Sequence, residues 1–396
     1  MKNNFKHFSH YFSLIAIFIA GIVGFYVFSY DRSFQISVLI ALALSYISWG
    51  IIHHTIHKDL CLAIVLEYVA VAIVGVVMVF SLIFRVWCLY NLLTLIKKVT
   101  KAVIPAAGFG TRFLPQTKSM PKEMLPVVDK PVIQYVVEQL IDAGIKDIII
   151  VTGYHKRGIE DHFDSPNLDL IENLKMGGEK KKHMLDEINE IGNMANFVYV
   201  RQKGPYGNGT PLLNVRHLIG DEPFIYTWSD EFILSKPNIY KQLISNYDKY
   251  QSSCLASLRA VKDEDYNRYA FVGGEEIEKG VINVNSIIEK PGKENAPSDL
   301  GNISGFLFTP DIFNYLDQAV QNIDGNKELY YNDPLKLMIK DGKKVLAVEI
   351  KDAKYYDMGN KLEYLKSVVD FALQREDLKD DFGKFIKSIQ ISQWKE

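Results

Sequence analysis

A glycine-containing turn after a short strand-like segment is the first place in this sequence where the residue types suit binding chemistry. Residues 101–105 have a strand pattern and lead into Gly108, Gly110 and Arg112. Because glycine has no Cβ, backbone amides at this turn can approach phosphate oxygens closely, and the arginine adds a fixed positive charge. The third glycine of the dinucleotide pattern G-x-G-x-x-G is absent, since Phe113 occupies its place. These residues are consistent with phosphate binding, and the alternative interpretation is that the two glycines only form an ordinary tight turn.

An acidic pair follows a second strand-like segment, residues 223–228. Ser229 follows this segment, and Asp230 and Glu231 come next. Carboxylate oxygens are the ligands that hard divalent ions such as Mg²⁺ prefer. Asp230 is therefore a candidate metal ligand, and the alternative is a carboxylate that caps the next segment.

The elements that must position these residues alternate between strand and helix patterns through residues 97–396. A helix is predicted over residues 132–143, where an amphipathic pattern is ended by Gly144. Such alternation predicts an α/β fold with a mixed sheet and helices on both faces, with ligands at the carboxyl ends of the strands. Further strands are predicted over 147–152, 197–201 and 223–228, a helix over 237–250, and shorter strands over 254–259, 270–272 and 281–288.

The first 96 residues have a different composition. They hold only eight of the 92 charged residues of the chain, and three apolar runs over about 12–30, 33–52 and 60–84 are each long enough to span a bilayer. We therefore predict a membrane region over residues 1–96, with a bundle of about three transmembrane helices. A secretory signal is the alternative for the first run, although no small-residue cleavage site follows it.

Charge distribution bears on orientation and on partners. For three spans the basic residues flanking the helices divide into Lys2, Lys6 and Lys58 on one side and Arg32, Arg85, Lys97, Lys98 and Lys101 on the other. The positive-inside rule then predicts a multi-pass protein of the cell membrane whose C-terminal domain is cytoplasmic. The net charge of −2 indicates no basic face, so no nucleic-acid partner is expected.

A family resemblance emerges after the turn, in Pro121-Lys-Glu-Met-Leu-Pro126 and Val127-Val-Asp-Lys-Pro131. With the preceding strand and turn, this run is similar to the opening signature of bacterial UTP:glucose-1-phosphate uridylyltransferases, within the sugar-nucleotide pyrophosphorylases. Counterparts of further family motifs follow in order as far as Gly359-Asn-Lys361. The similarity as a whole covers about residues 99–387 and none of the membrane region. It implies a Rossmann-like (GT-A-like) nucleotidyltransferase domain over residues 97–396, Mg²⁺ as cofactor and assembly into a homo-oligomer.

The implied reaction is in-line transfer of the uridylyl group of UTP to glucose 1-phosphate, which gives UDP-glucose and pyrophosphate. Both reactants are anions, so charge neutralisation and alignment dominate the chemistry. The resemblance implies that Lys122 meets the nucleotide phosphates, that Arg112 lies beside the departing pyrophosphate and that Lys290 holds the sugar phosphate. It further implies that Asp230 and Asp357 form the metal site.

The resemblance also implies two binding sets. The sugar set comprises Glu289, Lys290 and Ala270, with Glu289 accepting hydrogen bonds from sugar hydroxyls. Gln202 is expected to read the uracil edge, which its donor and acceptor suit, although they suit thymine equally. The nucleotide set comprises Ala106, Ala107, Gly108, Gly110, Thr111, Gln202 and Gly207.

Three departures from the family pattern surround the base and sugar positions. Gly-Leu-Gly-His-Ala is replaced by Gly207-Asn-Gly-Thr-Pro211, Leu-Pro-Asp by Trp228-Ser-Asp230, and Tyr-Gly-Val-Val by Tyr269-Ala-Phe-Val272. None removes a charged residue from the implied chemistry. Two alternatives stay open on this basis: a related enzyme that uses dTTP or another sugar 1-phosphate, and a non-catalytic, membrane-tethered sugar-nucleotide sensor. For the enzyme, we expect the membrane helices to deliver product to membrane glycosyltransferases.

Overall fold

The computed structural model describes residues 4–28, 31–95, 97–323 and 327–389. The chain divides into two compact units, Met1–Ile96 and Lys97–Glu396. The first unit consists of three helices: α1 (Asn4–Val27), α2 (Arg32–His57) and α3 (Leu62–Leu95). At the start of α2, Asp31 Oδ1 accepts a hydrogen bond from the Phe34 amide at 3.0 Å.

Two helices in the described part of the first unit are long and apolar enough to cross a membrane. They are Arg32–His57 and Leu62–Arg85, with mean hydropathies of 1.9 and 2.7, whereas the apolar part of α1 is the shorter segment Tyr11–Val27. Length and composition thus support two of the three expected spans. The end of the first expected span, residues 29–30, and Lys2 of the orientation argument lie outside the described residues.

A nine-stranded mixed sheet forms the centre of the second unit. Its order is β5-β4-β1-β6-β11-β8-β12-β10-β9, with β1, β4, β5 and β6 parallel to one another and β11 antiparallel to both its neighbours β6 and β8. Two small sheets pair β2 with β3 and β7 with β13. The strands are β1 (Lys101–Ala106), β2 (Pro126–Val127), β3 (Lys130–Pro131), β4 (Asp147–Thr152), β5 (Asn196–Arg201), β6 (Phe224–Tyr226), β7 (Glu231–Leu234), β8 (Ser253–Arg259), β9 (Ala270–Glu278), β10 (Val281–Glu289), β11 (Leu300–Phe308), β12 (Val345–Glu349) and β13 (Lys354–Asp357).

Helices cover both faces of this sheet, as the alternating pattern predicts. One core packs α4 and α9 on the sheet through Val136, Leu140 and Leu243, and the other packs α8, α10 and α11 on it, with Leu212 and Leu316 among the core residues. The helices of the second unit are α4 (Val132–Asp142), α5 (Arg157–Phe163), α6 (Leu168–Met176), α7 (Glu179–Gly192), α8 (Thr210–Ile219), α9 (Ile239–Tyr250), α10 (Ile312–Gln321), α11 (Asn332–Lys340), α12 (Lys361–Gln374) and α13 (Lys379–Ser388).

The strands expected over 254–259 and 281–288 agree with β8 and β10 to within one residue, but the strand expected over 270–272 is too short, because β9 continues to Glu278. β9, β10 and β11 each contain nine residues and belong to the main sheet. Only the first part of β9 is buried, and the acidic end that includes Glu275 and Glu276 is exposed at the sheet edge. That exposed end lacks the apolar signal of a strand, which is why the sequence pattern underestimates its length.

Candidate active site

Three cavities meet at one ion pair near the carboxyl ends of β1 and β6. The sheet cavity (590 Å³) lies along β9, β10 and β11, the loop cavity (550 Å³) lies between residues 105–109 and 202–211, and the turn cavity (200 Å³) lies at residues 110–113. Lys122 and Asp230 line all three. The pair therefore lies where the three cavities adjoin.

A hydrogen bond to the end of β1 helps to place this pair. Lys122 Nζ donates to Asp230 Oδ2 at 2.6 Å. Ser229 Oγ donates to the Pro105 carbonyl at 2.7 Å, which ties the segment after β6 to the end of β1. Burial disfavours the charged form of Lys122, but the negative charges of Asp230 and Glu123 outweigh it and raise the pKa of Lys122. The lysine is thus a permanent cation at the junction.

A second carboxylate, Asp357, lies beside Asp230 because β13 pairs antiparallel with β7. This register sets Asp357 opposite Glu231, and the Met358 amide donates to the Asp230 carbonyl at 3.0 Å. A Cβ built on Gly359 would lie 3.1 Å from Asp230 Oδ2 and 3.2 Å from Asp357 Oδ1. The two carboxylates therefore flank one small space that the missing side chain of Gly359 leaves open.

Glu231 adds a third carboxyl group without adding a third negative charge. Burial, together with repulsion from Asp230, raises the pKa of Glu231 to about 8. Tyr355 Oη donates to Glu231 Oε2 at 2.6 Å. The raised pKa favours the protonated form of Glu231 at neutral pH.

The two carboxylates suit a divalent ion that also binds a substrate. Among the residues that the structure describes, no group of three or more His, Cys, Asp and Glu side chains is arranged to hold a metal. Mg²⁺, however, is commonly held by one or two carboxylates, with phosphate oxygens and water completing its octahedron. Asp230 and Asp357 fit that donor set.

Arg112 borders both the sheet cavity and the turn cavity. It belongs to a single 3₁₀ turn, Thr111–Phe113, and its Nη1 donates to the Gly359 carbonyl at 3.4 Å. Gly110 precedes that turn with φ +66°, and a Cβ there would lie 3.1 Å from Lys122 Cβ. The turn after β1 thus needs glycine at this position, and it brings a guanidinium group to the junction.

The loop cavity holds most of the residues expected to bind nucleotide. Ala107, Gly108, Gln202 and Gly207 line it, whereas Thr111 lines the turn cavity. Ala106 lies 1% exposed at the end of β1 and lines none of the three cavities. We conclude that Ala106 supports the turn through packing and that its neighbour faces the ligand space.

Gly207 adopts φ +126°, and its loop packs tightly on residue 329. The Gly209 amide donates to the Leu329 carbonyl and the Leu329 amide to the Tyr206 carbonyl, both at 2.8 Å. A Cβ on Gly207 would lie 2.1 Å from the Leu329 oxygen, closer than any real contact. Only glycine fits here.

Gly207→Ala is therefore expected to open the loop cavity and to raise the KM for nucleoside triphosphate at least tenfold, measured by pyrophosphate release. Gly220→Ala is the matched control, because Gly220 also has a positive φ (+63°) but open space around its Cβ position. The control should lose about 1 kcal/mol of stability from backbone strain and keep its KM. Equal KM values for both variants would refute the argument from the clash.

The sheet cavity contains the residues expected to bind sugar. Glu289 pairs with Ala270 across β10 and β9, and the Lys290 amide donates to the Tyr269 carbonyl at 3.0 Å. Glu289 Oε2 accepts from Asn332 Nδ2 at 3.1 Å. All four expected catalytic residues, Arg112, Lys122, Asp230 and Lys290, line this one cavity.

Several residues of the site were missed by the sequence reasoning. Arg268 donates to Asp357 Oδ2 at 2.6 Å, and Asn302 lines the sheet cavity from β11. Glu123, adjacent to Lys122 in the recognised motif, forms a buried ion pair with Lys156 at 2.6 Å. The position of Glu123 within that motif was the one signal available for it.

Comparisons with known proteins identify the family of this chain. The sequence profile described as nucleotidyl transferase matches residues 101–372. The UTP–glucose-1-phosphate uridylyltransferase of Bacillus subtilis (strain 168) is 41% identical over 294 residues, which make up 74% of this chain and 98% of that protein.

Solved structures give the same result. A UDP-glucose pyrophosphorylase complexed with UDP-glucose matches with a TM-score of 0.62 at 39% identity, over 70% of this chain and 100% of that one. The UTP-bound UGPase from Acinetobacter baumannii matches with a TM-score of 0.64 at 32% identity, over 74% of this chain and 100% of that one. The chain therefore belongs to the nucleotidyl transferase family and, within it, to the UTP–glucose-1-phosphate uridylyltransferases.

Proposed function

We propose that this protein transfers the uridylyl group of UTP to glucose 1-phosphate, with Mg²⁺ as the cofactor, and that its N-terminal helices hold it in the cell membrane. The observation that carries the reaction is the meeting of three cavities at Lys122 and Asp230. This arrangement suits a base in the loop cavity, a sugar in the sheet cavity and pyrophosphate in the turn cavity.

The chemistry follows from that placement. An oxygen of the sugar phosphate forms a bond to the α-phosphorus of UTP, the bond from that phosphorus to the bridging oxygen breaks, and pyrophosphate leaves with the electron pair. Lys122 neutralises charge on the nucleotide phosphates, Lys290 holds the sugar phosphate in line, and Arg112 faces the departing pyrophosphate. Mg²⁺, held by Asp230 and Asp357, supplies further charge stabilisation at the phosphates when bound.

Release of pyrophosphate tests the reaction directly. The purified full-length protein in detergent is given each of UTP, dTTP, ATP, GTP and CTP with a set of sugar 1-phosphates. We expect turnover with UTP and glucose 1-phosphate, loss of that turnover with EDTA and its return on addition of Mg²⁺. Turnover confined to dTTP or to another sugar 1-phosphate would mean that the enzyme uses those substrates instead. A folded protein that binds UDP-glucose without turnover would favour the sensor alternative.

Membrane attachment of the catalytic domain has its own support. The Bacillus subtilis relative is covered over 98% of its length by 74% of this chain, and the family profile begins at residue 101, so the apolar helices α1 to α3 are additional to the shared domain. Two of these helices have the length and hydropathy of membrane spans. We infer that the catalytic domain, whose substrates are cytoplasmic metabolites, faces the cytoplasm and supplies UDP-glucose to membrane glycosyltransferases.

Fractionation of cells distinguishes an anchored enzyme from a soluble one. The full-length protein is expected to remain in the membrane pellet after an alkaline carbonate wash, and a protein of residues 97–396 to appear in the soluble fraction with the same kcat. Release of the full-length protein by carbonate would contradict spanning helices. Full glycan output from cells that contain only residues 97–396 would contradict the delivery role.

A further inference from the structure

A row of residues across three neighbouring strands forms the floor of the sheet cavity. Ala270 on β9 pairs directly with Glu289 on β10 and with Asn302 on β11. Directly paired residues project from the same face of a sheet, and all three line the sheet cavity. Two strand spacings separate Glu289 from Asn302, roughly 10 Å. A hexose ring over Ala270 would therefore have a polar side chain at each edge.

Asn302 is buried and only partly satisfied. It is 2% exposed, and its Nδ2 donates to Tyr331 Oη at 3.3 Å. Its Oδ1 accepts no hydrogen bond from any residue in the described part of the chain. A polar atom that is left without a hydrogen bond in a protein interior is destabilising, and a ligand in the cavity that Asn302 lines is a source of the missing donor.

The Tyr331 contact fixes the orientation of this amide. Tyr331 is itself 5% exposed and lines the same cavity, and its ring packs against Trp228 and Phe306 at centroid distances of 5.5 and 4.5 Å. Because the phenol engages the amide nitrogen, the amide oxygen is the end of the side chain that has no partner among the described residues. This wall adjoins two of the departures from the family pattern, Trp228 and Ala270.

We propose that Asn302 is a specificity-determining residue, which accepts a hydrogen bond from a hydroxyl group of the sugar at the edge opposite Glu289. This assignment rests on the proposed function, because it takes a sugar phosphate as the occupant of the sheet cavity. Tyr331 is the positioning residue that holds the amide. A site built to bind a hydroxyl rejects the analogue that lacks it, since its own polar group is then left unpaired.

Kinetics of the full-length Asn302→Leu protein test the assignment. Leucine has a similar size but cannot accept a hydrogen bond. We expect about a 10–100-fold lower kcat/KM for glucose 1-phosphate, with the KM for UTP and the melting temperature unchanged. Both proteins are then assayed with a panel of monodeoxy glucose 1-phosphates. For one analogue, the wild-type kcat/KM should fall to the value that the variant has with glucose 1-phosphate. The variant should show no further loss with that analogue. Tyr331→Phe should weaken discrimination against that same analogue.

Other outcomes separate the assignment from the proposed function. The role of Asn302 is overturned if Asn302→Leu still prefers glucose 1-phosphate to its deoxy analogues as strongly as the wild type does. It is also overturned if the substitution lowers kcat/KM equally for every deoxy analogue. Either result leaves the proposed reaction intact. The dissociation constants of UDP-glucose and UDP, measured by calorimetry, give a comparison that does not depend on turnover. If the wild type binds UDP-glucose more tightly than UDP, the variant should lose that difference. A wild type that turns over no glucose 1-phosphate and binds UDP-glucose no more tightly than UDP overturns both.

Discussion

Asp230→Ala is expected to lower kcat for UDP-glucose formation by roughly 10³-fold, since each tenfold in rate corresponds to about 1.4 kcal/mol and a metal at the reacting phosphate contributes several kcal/mol. The substitution removes one of the two carboxylates that flank the space at Gly359. It also removes the partner of Lys122, which then has no fixed orientation toward the phosphates. The measurement is pyrophosphate release by the full-length protein with saturating UTP and glucose 1-phosphate.

A second substitution separates these two effects. Asp230→Asn keeps an oxygen that can accept from Lys122 but has no negative charge for a metal. If the metal site accounts for most of the loss, Asp230→Asn should be almost as slow as Asp230→Ala and should recover in part at high Mg²⁺. Asp248→Ala, an exposed aspartate on α9, is the control and should retain wild-type kcat. Retention of more than a tenth of the activity in Asp230→Ala would contradict the assignment.

The central strands could be predicted from the sequence because burial makes them uniformly apolar. β4 occupies Asp147–Thr152 as expected, and β1 extends one residue beyond the predicted end, to Ala106. Parallel strands covered by helices on both faces read as continuous apolar runs, and these are bounded sharply by polar residues. The end of such a strand therefore also locates the turn that follows it, including Gly108 and Gly110.

Contacts between distant segments could not be predicted in this way. The pairing of β7 with β13 brings Asp357 beside Asp230, although more than 120 positions separate them in the chain. Strands of four residues carry too little periodic signal to reveal a partner. The family resemblance supplied Asp357, and the structure supplies the physical reason for its position.

Buried polar residues are the other class that the sequence did not reveal. Asn302 lies within a strand of nine residues, and Lys156 lies just before α5, where a charged residue normally faces solvent. Their burial depends on what packs over them, namely Tyr331 for the asparagine and Glu123 for the lysine. Residue type alone therefore gives no sign of the burial of either residue.

Glu123→Ala is expected to destabilise the second unit by about 3–5 kcal/mol, the cost of leaving one member of a buried ion pair without its partner. Glu123 is 0% exposed and the Lys156 side chain is 5% exposed, and Lys156 Nζ donates to Glu123 Oε2 at 2.6 Å. Burial raises the pKa of Glu123 and lowers the pKa of Lys156, while their mutual attraction opposes both shifts. Removing the carboxylate takes away the largest attraction that opposes the burial of the lysine charge.

The measurement is the free energy of unfolding in urea of a protein of residues 97–396. This part of the chain should fold on its own, because it matches relatives over 98–100% of their length and the family profile begins at residue 101. Asp161→Ala is a matched control from the adjacent helix. Its ion pair with Arg157 is 3.3 Å long, and both side chains are more than 60% exposed. An exposed pair contributes about 0–1 kcal/mol, so the control should remain close to wild type.

The double variant Glu123→Leu/Lys156→Met tests the physical reason for the loss. If the lysine charge is what destabilises Glu123→Ala, replacing both partners with apolar side chains should recover most of the stability, since such replacements of buried pairs are often neutral or stabilising. Activity should not recover to the same extent, because Glu123 adjoins Lys122 and lines the loop cavity. Stability that stays as low in the double variant as in Glu123→Ala would instead mean that the loss comes from packing. In that case the cavity left by the glutamate, rather than the unpaired charge, would be the cause.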